Sequence, residues 1–499
     1  MGLMFYPRGG SAQVARYLGR ALVEAGWDVV LASGSLGSPG EETHAPTFYE
    51  GLHVEVADYT PAFERFRSGE DPLAGPVPFH GSFEDRVEAP DPVFAALGPE
   101  RAEVQVTAWQ AVFERAGFRY VDVLHLHHLT PMHDAVARLC PERPVFTHLH
   151  GTELKMLDRI DRLDAVALEL GTSLDRLKIA VDSGDFLSDC RLAGADRELL
   201  RQTNLNRYRY GEGWAARLEL SARRSSRIVC ISPNGASEAV RLLGVSDDLI
   251  ELIPNGVDTD LFHRSALSRD RRLQLLRHWL VDDPKGWDES GLPGSIRYAT
   301  EALEAFTDRV GEPLPMLLYV GRFLDFKRVP LLVRAYDRAR PRFNIPAPLL
   351  IWGGSPGEWE GEHPYTVARE LAVDGVFFSG WRGHADLPLG LSCANVFAAP
   401  SVDEPFGLVF LEAMSCGLPV ITTATGGPLS FVNTIVGKPN GWLVPPDDID
   451  ALADALVTAV NDDTARNDRA DNASRQIRGS YSWRAIAERF DALYTHALD

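Results

Sequence analysis

Two successive doubly wound α/β domains are predicted for this chain, on three observations. Short apolar runs rich in Val, Ile and Leu alternate with longer helical patterns, which is how strands buried on both faces of a parallel sheet read. The alternation begins at the first residues, fades between about Asn255 and Pro315, and then starts again. The chain has 499 residues, too many for one ordinary core.

In the first half, strands are expected at Leu3–Tyr6, Asp28–Ala32, Val121–His127, Pro144–His148, Arg227–Ile231 and Ile250–Ile253. A helix over Ala12–Ala25 follows the first strand and stops at Gly26, a residue able to take the left-handed conformation that ends helices. In the second half, strands are expected at Met316–Val320, Pro348–Trp352, Val376–Ser379, Asn395–Ala399, Pro419–Thr423 and Trp442–Val444, with helices between them. Between the halves, a polar helix over Ser268–Val281 and the Pro/Gly/Asp-rich segment Asp282–Gly294 read as an inter-domain connection with an insertion. Two more stretches break the alternation. One, from Asp58 to Pro99, is rich in proline and aromatics; the other, from Asp158 to Tyr210, reads as extra helices. Long excursions are either functional lids and binding surfaces or packing decoration, and the sequence leaves both open.

Composition narrows the function. Hydrophobic content of 45% is an ordinary globular value, so burial can offset chain entropy. A formal net charge of −20 argues against a nucleic-acid binder and against general electrostatic attachment to anionic lipid, while leaving room for a small basic pocket. The five cysteines (Cys140, Cys190, Cys230, Cys393, Cys416) are odd in number and form no C-x-x-C, which favours reduced thiols and a cytoplasmic location. No apolar run reaches membrane-spanning length, and with the acidic balance peripheral membrane contact is not expected. Lysine is scarce (Lys155, Lys178, Lys285, Lys327 and Lys438 only), so a lysine at a strand end is a specific choice over arginine.

The strongest constellation runs Glu404-Pro-Phe-Gly-Leu-Val-Phe-Leu-Glu412 and on through Ala413-Met-Ser-Cys-Gly-Leu-Pro-Val420. If most of that span is helical, Glu404 and Glu412 lie about 12 Å apart, far wider than the roughly 5 Å of paired glycosidase carboxylates. The spacing suits one elongated ligand held at two points. Gly407 allows close backbone approach, and the amides of Phe406, Gly407 and Leu408 would leave a helix N-terminus facing an anion. Upstream, Gly321-Arg322-Phe-Leu-Asp-Phe-Lys327 follows an apolar strand, so Arg322 and Lys327 can converge on the mouth of the sheet, one a planar fork for phosphate and the other a point charge.

This pattern, G-R-x(4)-K, then P-S-x-x-E-P-F-G-L-x-x-x-E-A-M-x-x-G-x-P-V-I, then G-G, resembles the retaining glycosyltransferases of family four, also called group one. Other segments resemble the same family: Ile253-Pro-Asn-Gly-Val-Asp258 closing a first domain, Gly9-Gly10 as an N-terminal phosphate-facing loop, His150-Gly151 as a pair at the sugar site, and Tyr481-Ser-Trp483 opening a final helix that crosses back. The resemblance implies a GT-B fold, two Rossmann-like domains facing a central cleft. Residues 1–257 with the tail 482–499 would form the acceptor-side domain, 258–309 a linker or insertion, and 310–481 the donor domain. It further implies that Arg322 and Lys327 neutralise a diphosphate, that Glu412 accepts hydrogen bonds from ribose, and that Glu404 and the 406–408 amides hold the transferred sugar. Gly9 and Gly10 would face phosphate, and His150 with Gly151 would contact the sugar. The segment Gly380-Trp381-Arg382 would border the base. The implied donor is a UDP- or GDP-sugar and the implied acceptor a small molecule or glycan, with no metal and no other cofactor.

Alternatives stay open at this stage. Asp258-Thr-Asp260 and Asp448-Ile-Asp450 match the D-x-D of metal-dependent enzymes, but aspartates at these places also cap turns and helices. His125, His127, His128, His148 and His150 are either a metal site or strand-end histidines meeting a sugar or the backbone. An epimerase or hydrolase of the same fold, or a non-catalytic sugar-nucleotide binder, would use the same motifs.

Overall fold

The chain's computed structural model describes residues 1–84, 89–183 and 192–499. It divides into two compact units, Met1–Pro254 with Ala487–Asp499, and Asn255–Ile486. The first holds a seven-stranded sheet of β1 (Gly2–Leu3), β2 (Val30–Ser35), β3 (His53–Asp58), β4 (Leu124–His127), β5 (Val145–Leu149), β6 (Arg227–Cys230) and β7 (Ile250–Leu252). The second holds a six-stranded sheet of β8 (Leu317–Val320), β9 (Leu349–Trp352), β10 (Val376–Gly380), β11 (Val396–Ala398), β12 (Val420–Thr423) and β13 (Gly441–Val444). The orders are β3-β2-β1-β4-β5-β6-β7 and β10-β9-β8-β11-β12-β13. Both are the doubly wound order in which the chain works outward from its first strand, returns, and works outward the other way. Among the described residues every strand pairing within these sheets is parallel, for example Gly2 beside Ala32 and beside Leu126, and Leu317 beside Leu349.

All twelve expected strands are present with shifted ends, and β3 is one more. His53–Asp58 escaped notice because it is an edge strand paired only with β2, and its residues are mostly half exposed. It carries an alternating pattern where the inner strands carry continuous apolar runs. The first helix, Gly9–Glu24, starts earlier than expected because Gly9, at φ 73°, turns the chain from strand to helix.

In their described parts the excursions pack on each other. Phe79 and Phe94 are fully buried, the Trp214 indole donates to the Leu97 carbonyl at 2.8 Å, and the Tyr210 amide donates to Ala95 at 2.9 Å. Helices Thr152–Glu169, Leu174–Ser183 and Gly194–Gln202 and the short turn Leu205–Tyr208 are the elements described in the second stretch. Cys190 lies outside the described residues; Cys140, Cys230, Cys393 and Cys416 are buried and not disulfide-bonded.

Residues 258–309, expected as a linker or insertion, are built into the second unit. Trp279 and Trp287 are each 1% exposed, the first against Trp352 at 4.7 Å between rings, the second donating to the Gly354 carbonyl at 3.0 Å. Two aromatics of that size cannot be left in water cheaply, so the segment folds onto the sheet. The Ile253–Asp258 and Tyr481–Trp483 motifs also explain each other. The Val257 amide donates to Tyr481 at 2.8 Å, and a Cβ on Gly256 would stand 2.7 Å from the Trp483 ring.

The first sheet packs a stack of imidazoles against the terminal helix Trp483–Leu498. His127 pairs with His148 across β4 and β5, so His125, His127 and His148 share one face. His125 bonds the Tyr494 hydroxyl through Nδ1 and His148 through Nε2 at 3.2 Å, and Phe490 stacks near both rings. Burial pushes these imidazoles down, His148 to about 3, so they are neutral in the fold. The unfolded chain binds protons below its ordinary histidine range and the folded chain does not, so stability is present above that range and lost as pH falls. From pH 7 to pH 5, His148 alone should cost about 2 kcal/mol. Urea unfolding of the wild type should therefore weaken over that interval more steeply than unfolding of His148→Gln, and equal pH slopes would show that the stack is not neutral.

Candidate active-site residues

In the second unit the chain leaves β8 and β11 in opposite directions from adjacent positions, the kind of strand-order reversal at whose carboxyl ends open α/β sheets bind ligands. The sequence-predicted residues of this half come from the segments after these strands. Arg322 follows β8 directly, its carbonyl accepting the Tyr319 hydroxyl at 2.9 Å, and its guanidinium lies 3.6 Å from the Glu358 carboxylate. Lys327 ends the short turn Asp325–Lys327, after which Arg328 takes φ 52° and the helix Val329–Ala339 begins. From the loop after β11, Glu404 meets the Lys327 ammonium in an ion pair that is nearly out of solvent. Lys327 and Glu404, 77 residues apart, are thus brought together.

The helix carrying the rest of the motif starts at the expected place, Leu408–Ser415, with Glu404 in the loop before it and Glu412 on it. Gly407, at φ 89°, is its N-cap, and a Cβ there would meet the Phe410 ring at 2.6 Å. The Phe406 side chain is 2% exposed against Phe431, so that residue can offer a ligand its backbone only. Glu412 lies 3.4 Å from the His384 ring. The later Gly426-Gly427 pair has a steric reason: the Gly427 amide donates to the Glu404 carbonyl at 2.7 Å, and a Cβ on Gly427 would stand 2.4 Å from the Phe406 Cα. These glycines hold the Glu404 loop by close backbone approach.

Arg382 has a different place from the one its motif suggested. It is 3% exposed and bonds Asp283 at 2.9 Å, the Trp279 carbonyl at 2.7 Å and the Asp283 carbonyl, so it anchors the 279–283 segment; Trp381 beside it is 49% exposed. Both D-x-D matches behave as caps. Asp258 accepts the amides of Asp260 and Leu261 at 3.0 and 2.9 Å, and Asp448 accepts that of Ala451 at 2.9 Å.

In the first unit the analogous crossover lies between β1 and β4. Gly9 and Gly10 open the helix that follows β1 and are exposed. His150 and Gly151 follow β5, with Gly151, at φ 95°, the N-cap of Thr152–Glu169. The His150 ring bonds His127 Nδ1 through Nε2 at 3.0 Å and, at 9% exposed, is less buried than His125, His127, His128 or His148. Burial, followed by the neighbouring His128 and His148, holds it well below the ordinary histidine range, and hence neutral. Among the described residues, His125, His127 and His148 bring ring nitrogens within 4.8 Å of one another, close enough to consider a metal. Both nitrogens of His125 are already hydrogen-bonded, which favours the imidazole chain over a metal centre.

Sequence reasoning missed Glu358, His384 and Glu153 as neighbours of these residues, while His128 was already grouped with His150. The Gly353-Gly354 pair after β9 was the available signal for the Glu358 loop. For His384 there was none, since its pairing with Glu412 is made by the fold alone.

Two family profiles match the chain: "Glycosyltransferase Family 4" over residues 8–261 and "Glycosyl transferases group 1" over residues 305–476. Among curated relatives, D-inositol 3-phosphate glycosyltransferase of Kribbella flavida is 28% identical over 282 residues, 55% of this chain and 57% of that protein. The enzyme of the same name from Corynebacterium glutamicum is 33% identical over 250 residues, 47% of this chain and 57% of that protein. The chain therefore spans a little over half the length of these relatives. Among solved structures, sucrose-phosphate synthase from Thermosynechococcus elongatus superposes with TM-score 0.61 at 22% identity, covering 99% of this chain and 95% of that one. Anabaena HepE in complex with UDP-glucose superposes with TM-score 0.57 at 17% identity, covering 99% and 100%. The two parallel sheets with flanking helices are the GT-B fold of these structures. With one family profile running through β2 to β7 of the first sheet and a second spanning Arg322, Lys327, Glu404 and Glu412, the chain belongs to glycosyltransferase family 4.

Proposed function

We propose that the protein transfers a hexosyl group, with retention of configuration, from a nucleoside diphosphate sugar to a hydroxyl of a small soluble acceptor such as a sugar or cyclitol. The observation that carries this reading is the pairing of Lys327 with Glu404 beside Arg322 at the strand-order reversal of the second sheet. It is supported by relatives named as inositol-phosphate and sucrose-phosphate enzymes and by a structural neighbour holding UDP-glucose, which favours a UDP-sugar donor.

In the transfer, the bond between the anomeric carbon and the diphosphate oxygen breaks, and the acceptor oxygen bonds to that carbon from the same face. The acceptor proton passes to the departing phosphate oxygen, so no protein base is assigned. Positive charge grows on the sugar carbon and negative charge on the diphosphate. Lysine has three N–H donors, so Lys327 can keep Glu404 and still face a phosphate oxygen, while Arg322 adds a planar fork. Charged hydrogen bonds of about 1.5–3 kcal/mol each, aimed where charge develops, lower the barrier by several kcal/mol. Glu404 holds the sugar, Glu412 the ribose, and the Gly407–Leu408 amides an anionic oxygen. Gly9 and Gly10 face phosphate, and His150 with Gly151 meets the sugar as a neutral hydrogen-bonding group. This division of labour needs no metal.

Arg322→Ala and Lys327→Ala should each lower turnover by about tenfold or more. Arg322 is the cleaner test, because its side chain is 40% exposed and that of Glu358 43%, so its loss strands no buried charge. Lys327→Ala leaves Glu404 without its cation and should also lower the melting temperature. Normal rates in both variants would remove the leaving-group assignment. Glu412→Ala should raise the donor KM more than it lowers turnover, and the opposite pattern would move that residue to the chemistry. Exhaustive chelation should leave the rate intact; a rate restored only by added divalent metal would reopen the histidine cluster as a metal site.

A further inference from the structure

Glu153 is the second residue of the helix Thr152–Glu169, a position where glutamate is ordinarily solvated, yet it is fully buried. A carboxylate survives there only if both oxygens have partners. Oε1 accepts the backbone amide of His150 at 3.1 Å, and Oε2 accepts Nδ1–H of His128 at 3.2 Å, with the Thr152 hydroxyl at 3.4 Å. Burial alone would raise its pKa; the charge and hydrogen bond of His128 and the His150 amide outweigh that and hold the carboxyl below its usual range. It is therefore ionised and accepts only.

Its two histidine partners sit at the ends of neighbouring strands. His128 follows β4 in a left-handed conformation, φ 62°, uncommon for a residue with a side chain and sustained here by its amide bond to the His148 carbonyl at 2.9 Å. His150 follows β5 at the turn into the helix. Glu153 ties these ends together, and the His128 ring it holds lies 4.5 Å from the His150 ring. His127 takes Nε2 of His150, so Nδ1 is the nitrogen left to face a ligand. A simple helix cap would need neither full burial nor a reach to the adjacent strand.

We propose that Glu153 is a positioning residue for His150: it clamps the turn after β5 through the His150 amide and buttresses the His150 imidazole through His128, holding that ring where it meets the transferred sugar. The inference rests on the reading of His150 as a sugar contact. Sugar transfer is measured in the full chain for Glu153→Gln, His150→Ala and the double variant. Glu153→Gln should lower kcat by about tenfold or more while changing the donor KM by less than about threefold, because the diphosphate grip in the second unit is untouched. The double variant should be no slower than His150→Ala alone, since both substitutions remove the same contact. Hydrogen exchange at the His150 amide should speed up by about tenfold or more in Glu153→Gln. If Glu153→Gln does not fold, Glu153→Asp, with its carboxylate drawn back by one methylene, takes its place in the same cycle. Turnover near wild type, losses that multiply in the double variant, or unchanged exchange at His150 would each overturn the proposal. If His150→Ala itself turns over normally, the sugar-contact reading fails instead, and the amide exchange still decides whether Glu153 holds that turn.

Discussion

The reversal of strand order in each parallel sheet is the constraint on which everything else rests. Where the chain stops working outward in one direction and starts in the other, two adjacent strands send their loops apart, and backbone amides and strand-end side chains are left facing an opening. In the second sheet that place lies between β8 and β11, and it receives Arg322, Lys327 and Glu404. In the first it lies between β1 and β4, and it receives Gly9, Gly10 and His128, with His150 one strand further on. The same topology built twice presents a cationic group in one unit and imidazoles in the other.

The two sets differ in their electrostatics. The second unit sets a lysine and an arginine against carboxylate partners, Glu404 and Glu358. Those partners hold the cations in place, and on the proposed function such fixed charge would face the departing diphosphate. In the first unit burial keeps His125, His127, His148 and His150 uncharged, and Glu153 supplies the buried anion.

Close backbone approach is the second recurring device. Gly427 lies against the Glu404 loop and Gly256 against Trp483, at distances that leave no room for a Cβ. Each pins a loop or a turn that carries motif residues. The motifs that identify the family are therefore a mixture of groups aimed at a ligand and groups that let the chain pack tightly enough to aim them.

Much of this was legible in the sequence. Continuous apolar runs marked twelve strands, because a strand covered on both faces must be apolar throughout. The scarcity of lysine singled out Lys327, and the spacing around Gly407 located a helix start. What the chain order could not convey was pairing. That Lys327 meets Glu404, Glu412 meets His384, Arg382 serves Asp283, and Glu153 reaches a histidine on the next strand are facts of tertiary placement, joining residues that local pattern treats as unrelated. The edge strand β3 was missed for a related reason, since its half-exposed alternation takes its meaning from a single neighbour, β2. Local sequence determined which segments are strands and helices and which residue types stand at their ends, because periodicity and backbone conformation are local. The fold alone decided which of those ends meet, because only burial in a common core sets distant carboxylates, cations and imidazoles within hydrogen-bonding distance.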